Sequence, residues 1–341
     1  MINMKVLTFG ELLLRLSAPG FEKLFQSDNL KTTFCGGEAN VAVSLANLGV
    51  ESCFVTKLPN SDIGHCAAHS LDYFNVDTSN IVYGNGRMGL YYLEKGASQR
   101  PSKIIYDRKH SSFSMARKSD FNWDNLFEDV DWFHWTGITP ALSNNVLQLI
   151  IEACVKAKEK GIIISCDLNY RKKLWSPENA QKVMKQLLKY VDVCIGNEED
   201  AQFALGINSN SNVEKAEIDI SSYESIARKI EIEYCCKYVA FTLRESYSAS
   251  RNGWSGILYH QGKTYISKKY DIQLVDRVGG GDSFSAGLIY GLINHCGDQE
   301  SIEIATAASC LKQTIEGDFN RSSIEDVMQL VKGNGNGRVQ R

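Results

Sequence analysis

The sequence predicts an α/β fold: a central, mostly parallel sheet flanked by helices, with a small β-sheet lid beside it. Three observations lead there. Short apolar or β-branched runs alternate with segments of helical spacing, two glycine-rich segments lie near opposite ends of the chain, and two polar, aromatic stretches break the alternation. Alternating strands and helices build a parallel sheet covered on both faces, whose ligands bind at the carboxyl ends of the strands.

The first strand is "KVLTF" (5–9). After it, residues 11–35 are polar and aromatic, and "GGEANVAVSLANLG" (36–49) opens a helix whose buried stripe is Val41, Leu45 and Leu48. "CFVTKL" reads as the next strand. In 87–116, "GLYYLE" and "KIIYDR" look like strands with no helix between them; together with 11–35 they read as a small antiparallel sheet covering a site, or as ordinary surface hairpins. Strands "DWFHWT", "IIISCDL", "DVCIG" and "YVAFTL" then alternate with helices "NNVLQLIIEACVKAKEKG", "PENAQKVMKQLLKY" and "YESIARKIEIEY". Residues 252–267 form a hairpin candidate turning at Gln261-Gly262. In "LVDRVGGGDSFSAGLIYGL" (274–292), Phe284, Leu288 and Leu292 recur every four residues, so a buried helix follows the glycines. The expected division is a main α/β body of 1–10, 36–86 and 117–332, a lid of 11–35 and 87–116, and a disordered tail at 333–341, which is too poor in apolar residues to pack.

Composition narrows the function. The chain has 341 residues, 43% hydrophobic and 23% charged, with a net charge of −3. That balance provides no basic field for nucleic acid or acidic membrane, so a small-molecule anion must be held by local charges. No apolar run approaches a membrane span and the first residues lack a secretory pattern, which points to a cytoplasmic protein. Ten cysteines without a C-x-x-C pair read as reduced, mostly buried thiols.

The chemistry concentrates at Gly279, Gly280, Gly281 and Asp282. At a helix start the first amides lack partners, the dipole is positive and the missing Cβ atoms let an anion approach. A carboxylate beside a bound phosphate can take a proton from an incoming hydroxyl. The same residues also read as a tight turn with Asp282 as a simple cap.

Asp276 and this turn, taken with "GGEANVAVSLANLG", resemble the ribokinase-like carbohydrate kinases, the PfkB family, over nearly the whole chain. The resemblance implies an ATP-dependent kinase with Mg²⁺, in which Asp282 is the base and Gly279, Gly280 and Gly281 the anion-binding amides. It implies Gly36, Gly37 and Asn40 at the sugar, and Asn197 at the nucleotide. Glu199 or Asp200 would take the magnesium role through water, although acids after a strand also serve as helix-start residues. Where many members have Thr-x-Gly, this chain has Thr242 followed by Arg244, whose guanidinium could contact phosphate.

"GRMGLYYLEKGASQRPSKIIYDR" and "DLNYRKKLW" resemble a narrower group, the 2-keto-3-deoxygluconate kinases. This implies Tyr91, Tyr106, Arg108 and Arg171 around an acid sugar, because paired N–H bonds from a guanidinium suit a carboxylate. Phosphorylation of the 6-hydroxyl follows as the expected reaction. The alternatives are a kinase of a neutral ketose or nucleoside and an inactive sugar-acid binder. An Asp of ordinary acidity would already be ionised at neutral pH, and exposed lid strands could pair two chains.

Overall fold

The computed structural model describes residues 4–208 and 219–333. The predicted tail lies outside the described residues, apart from Gly333 at its start. These residues form a nine-stranded sheet running Lys263–Ile266, Arg251–His260, Tyr238–Ser248, Val193–Gly196, Ile163–Asp167, Trp132–Thr136, Lys5–Phe9 and Glu51–Val55, with Tyr270–Gln273 also paired to Arg251–His260. From Tyr238–Ser248 to Glu51–Val55 every pairing is parallel. Lys5–Phe9 lies between Glu51–Val55 and Trp132–Thr136, so the chain leaves its first strand to one side and later returns on the other. A crevice opens at such a switch point.

Alternation along the strands supplies two cores, since successive side chains point to opposite faces. Leu7, Phe133, Ile164 and Phe241 pack under helices Asn144–Glu159, Pro177–Leu187 and Ile220–Tyr234. Their neighbours Val6, Trp132, Ala240 and Leu258 pack on the other face against Gly37–Asn47, Gly280–Ile293 and Asp298–Gln313. Phe284, Leu288 and Ile289 are fully buried there, each contributing about 1.5–3 kcal/mol. The helix Gly280–Ile293, which carries Asp282 in its first turn, is thereby fixed to the sheet.

The strand expected as "CFVTKL" is two strands, Glu51–Val55 and Lys57–Pro59; the second pairs in parallel with Val82–Gly84 outside the main sheet. Gln261 and Gly262 have φ of 50° and 75°, the two left-handed residues of a tight hairpin turn.

A separate four-stranded sheet has the order Lys31–Cys35, Leu13–Ser17, Gly89–Glu94 and Lys103–Asp107. It is mixed, not antiparallel as expected: Leu13–Ser17 and Gly89–Glu94 run parallel because helices and strands of the main body intervene between them. Leu12, Leu14, Phe34 and Leu90 on one face pack with Ala67, Ala68 and Leu71 of helix Asp62–Asp72. On the opposite face, Leu13, Cys35, Tyr91 and Leu93 pack with Val278 of the glycine turn.

Seven of the ten cysteines are buried and all ten are free thiols. No helix among the described residues is long and apolar enough to cross a membrane.

Candidate active site

Helix Gly37–Asn47 starts where the first strand's loop crosses the sheet. A Cβ on Gly36 would lie 2.2 Å from the Glu11 carbonyl oxygen, so only glycine permits this close approach. One turn into the helix, Asn40 is 3% exposed. Its Oδ1 accepts from the Gly36 amide at 3.3 Å, and its Nδ2 donates to Asp282 Oδ2 at 2.6 Å. Asn40 therefore orients Asp282 as well as bordering the site. Gly37 is close by: a Cβ there would lie 3.8 Å from Asp282 Oδ1 and 3.5 Å from Thr136 Cγ2.

The three glycines of the turn differ. Gly279 has φ 84°, and a Cβ would fall 2.0 Å from the Asp318 carbonyl oxygen, so both conformation and space demand glycine. The Gly280 amide is partly used, donating to the Arg277 carbonyl at 3.3 Å. Gly281 borders open space. Among the described residues, the amides of Gly281 and Asp282 have no protein partner, leaving two donors at the positive end of a 14-residue helix.

Asp282 departs from ordinary acidity. Burial pushes its carboxyl up to about 7, the Asn40 bond works against that, Asp318 and Glu38 add to it, and Arg171 opposes it. The expectation of an acid fully ionised at neutral pH is corrected by desolvation among other acids. Glu38 is itself buried and accepts from the Thr136 amide at 3.1 Å, Thr136 Oγ1 at 2.8 Å and Thr139 Oγ1 at 2.5 Å. Asp167, at the end of strand Ile163–Asp167, is pushed well above the usual carboxylate range by burial, then by Asp200 and Asp282. Arg171 is exposed, donates to the Tyr170 carbonyl at 3.0 Å, and acts electrostatically on Asp167, Asp200, Asp282 and Tyr106. It is an exposed cation facing this acidic group.

The small sheet supplies the opposite wall. Tyr106 is 39% exposed, and its ring lies 5.7 Å from that of Tyr91, its cross-strand partner. Tyr91 departs from the expected sugar contact: it is 3% exposed and its hydroxyl donates to Asp318 Oδ2 at 2.6 Å, so its proton is already in use. Arg108 is also engaged. Its Nε donates to Glu11 Oε2 at 2.7 Å, with a second contact from Nη2, and its guanidinium lies over the Tyr106 ring at 5.6 Å. Glu11 further accepts from Ser111 Oγ.

After strand Val193–Gly196, Asn197 and Asp200 form a reciprocal helix cap. The Asp200 amide donates to Asn197 Oδ1 at 2.9 Å, and Asp200 accepts from the Asn197 amide at 3.1 Å and the Tyr170 amide at 2.8 Å. Burial pushes Asp200 up to about 6 while Arg171 opposes it. Glu199 is exposed and Glu198 accepts from the Tyr223 hydroxyl at 2.7 Å. No three acidic, His or Cys side chains among the described residues converge on a metal position. The donor set suits an ion carried on a ligand's phosphates and met through water.

Thr242 is half-buried and Arg244 exposed on the long strand Tyr238–Ser248. The strand runs straight through Arg244, which pairs with Trp254, so there is no left-handed turn for it to strain. Just before the glycines, burial and then the like charge of Arg244 hold the Arg277 guanidinium below its ordinary pKa. Sequence reasoning missed Glu11, Arg15, Glu38, Asp167, Arg277 and Asp318. For Glu11, Arg15 and Asp167 the signal is a polar residue at or inside an apolar run, as in "ELLLRL" and "SCDLN".

This arrangement has known counterparts. Residues 3–322 match the pfkB family carbohydrate kinase profile. The crystal structure of 2-dehydro-3-deoxygluconokinase from Thermotoga maritima is 48% identical with a TM-score of 0.93, the alignment covering 97% of this chain and 98% of that one. A 2-dehydro-3-deoxygalactonokinase from Haloferax volcanii is 29% identical over 96% of this chain and 97% of its own length, and a 2-dehydro-3-deoxygluconokinase from Bacillus subtilis 25% identical over 94% and 92%. With the switch-point crevice and the glycine turn, these likenesses establish that the chain is a phosphotransferase acting on an alcohol and belongs to the pfkB family of carbohydrate kinases.

Proposed function

We propose that the chain transfers the γ-phosphoryl group of ATP, supplied with Mg²⁺, to the 6-hydroxyl of 2-keto-3-deoxygluconate. The observation that carries this is the Asn40–Asp282 bond of 2.6 Å, which aims a carboxylate of raised proton affinity at the mouth of the glycine turn. Asp282 takes the hydroxyl proton as the sugar oxygen attacks phosphorus and the bond to ADP breaks. The Gly281 and Asp282 amides face the charge on the transferring group, joined by Gly279 and, less freely, Gly280. Asn40 holds Asp282 in position.

The sugar would lie between Gly36, Gly37 and Asn40 on one side and Tyr106, Arg108 and Arg171 on the other. Exposed Arg171 is the best-placed partner for a carboxylate. Arg108, tied to Glu11, presents a braced wall, and Tyr91 acts behind it. Thr242 and Arg244 lie toward the nucleotide, whose magnesium would meet Glu199 and Asp200 through water near Asn197. The small sheet would exclude water as a lid, and its edge strands offer a surface for self-association.

A coupled assay with 2-keto-3-deoxygluconate, its galactonate epimer, fructose, ribose and adenosine tests the reading. Preference for a keto-deoxy acid supports it; preference for a neutral compound overturns the carboxylate assignment.

A further inference from the structure

A row of side chains crosses the small sheet toward the glycine turn. Arg15, Tyr91 and Tyr106 lie directly opposite one another on three adjacent strands, and directly opposed residues share a face. Arg15 is 2% exposed, an unusual burial for arginine. One terminal nitrogen donates to Asp276 Oδ2 at 2.6 Å and the other to Asp318 Oδ1. Asp276 also accepts from the Val278 amide at 3.2 Å and the Gly317 amide at 3.2 Å, while its carbonyl accepts from buried Lys312 at 2.9 Å. The Asp318 carbonyl is the atom against which Gly279 packs. Thus one guanidinium bonds the two acids whose backbones and carboxylates shape both sides of the turn.

We propose that Arg15 is a positioning residue for phosphoryl transfer, fixing the glycine turn to the small sheet through Asp276 and Asp318. The inference rests on Asp282 being the base. Arg15 and Lys312 balance the charges of Asp276 and Asp318, so losing Arg15 leaves a buried carboxylate uncompensated. The ionisable groups facing Asp282 are Glu38 from helix Gly37–Asn47, Asp167 from the end of strand Ile163–Asp167, Arg171 from the loop after it, Asp318 from the loop after helix Asp298–Gln313 and Lys312 from that helix. With Asp318 no longer neutralised, Asp282 should hold its proton to higher pH.

Wild-type turnover on 2-keto-3-deoxygluconate is measured first; its absence sinks the substrate reading and leaves the role of Arg15 to be read on whichever sugar is turned over. In Arg15→Gln, kcat should fall about tenfold or more with sugar KM changing less than about threefold, the mark of misplaced reacting groups. The acid limb of the kcat profile should rise by about half a pH unit or more, and Asp318→Asn added to it should return the limb toward wild type. Arg15→Lys keeps the charge but cannot reach two carboxylates as a fork, so it should keep the limb and lose part of kcat. A merely structural role would lower the melting temperature and leave the limb of the folded enzyme in place, overturning the proposal. If Arg15→Gln does not fold, wild-type kcat in Arg15→Lys would overturn it equally.

Discussion

Asn40 Nδ2 donates to Asp282 Oδ2 at 2.6 Å across 242 positions of sequence, joining the two glycine-rich segments. The bond favours the ionised carboxylate, while burial favours the protonated one and leaves Asp282 at about 7. A general base works only when deprotonated, so kcat/KM should rise with pH and level off above about 7. In Asn40→Ala the acid limb should move to higher pH, because a bond to the charged form is lost. A pH–rate profile that keeps its limb would remove Asn40 from this role.

Asp282→Asn should reduce kcat about a hundred- to ten-thousand-fold with little change in sugar affinity by calorimetry. The raised proton affinity of Asp282 carries a second expectation. The folded protein retains a proton on Asp282 that the unfolded chain loses above about 4, so ionised Asp282 weakens the fold as pH rises toward 7. The Asn variant should therefore gain melting temperature relative to wild type at pH 8 and not at pH 4.

Arg171→Ala should raise KM for a keto-deoxy acid about ten- to a hundredfold, the scale of a charge-assisted hydrogen bond, and that for a neutral analogue much less. Equal losses would assign Arg171 to the electrostatics of Asp167, Asp200 and Asp282 alone.

Gly279→Ala and Gly281→Ala should separate folding from function. The first forces a Cβ into the Asp318 carbonyl at φ 84° and should lower stability by more than about 1 kcal/mol. The second meets open space, so it should fold normally and weaken kcat/KM for ATP by crowding the approach of phosphate. Thermal melts and ATP kinetics on both variants check this.

His134 is fully buried and burial pushes it down to about 3. Its neutral form stabilises the fold fully above the unfolded value near 6.5, and that contribution declines as pH falls toward 3. Between pH 6.5 and 5 the loss should be about 2 kcal/mol. Urea denaturation of wild type and His134→Gln should show the stability difference changing by that amount over the interval.

The parts of the site legible in the sequence are those built from neighbouring residues. Gly279 to Asp282 form a helix start, and Gly36 to Asn40 form another, so each motif carries its own geometry. Arg15 and Asp318 are 303 positions apart, and only the packing of the small sheet on the last loop joins them. Glu38 and Asp167 carry no motif of their own in the sequence; the packing of helix Gly37–Asn47 and strand Ile163–Asp167 around the glycine turn brings them to Asp282. Tyr91 was legible as a strand aromatic, but its hydroxyl partner lies in the loop after the last long helix. Arg244 stands where many family members have the glycine of a Thr-x-Gly turn, and here the antiparallel partner Arg251–His260 extends the strand past it.

The most direct measurement of the central relationship is a crystal structure with 2-keto-3-deoxygluconate and a non-hydrolysable ATP analogue. The sugar's 6-hydroxyl should lie within hydrogen-bonding distance of Asp282, with the terminal phosphate on the Gly281 and Asp282 amides. A sugar whose reacting hydroxyl points away from Asp282, or a phosphate held elsewhere, would contradict it.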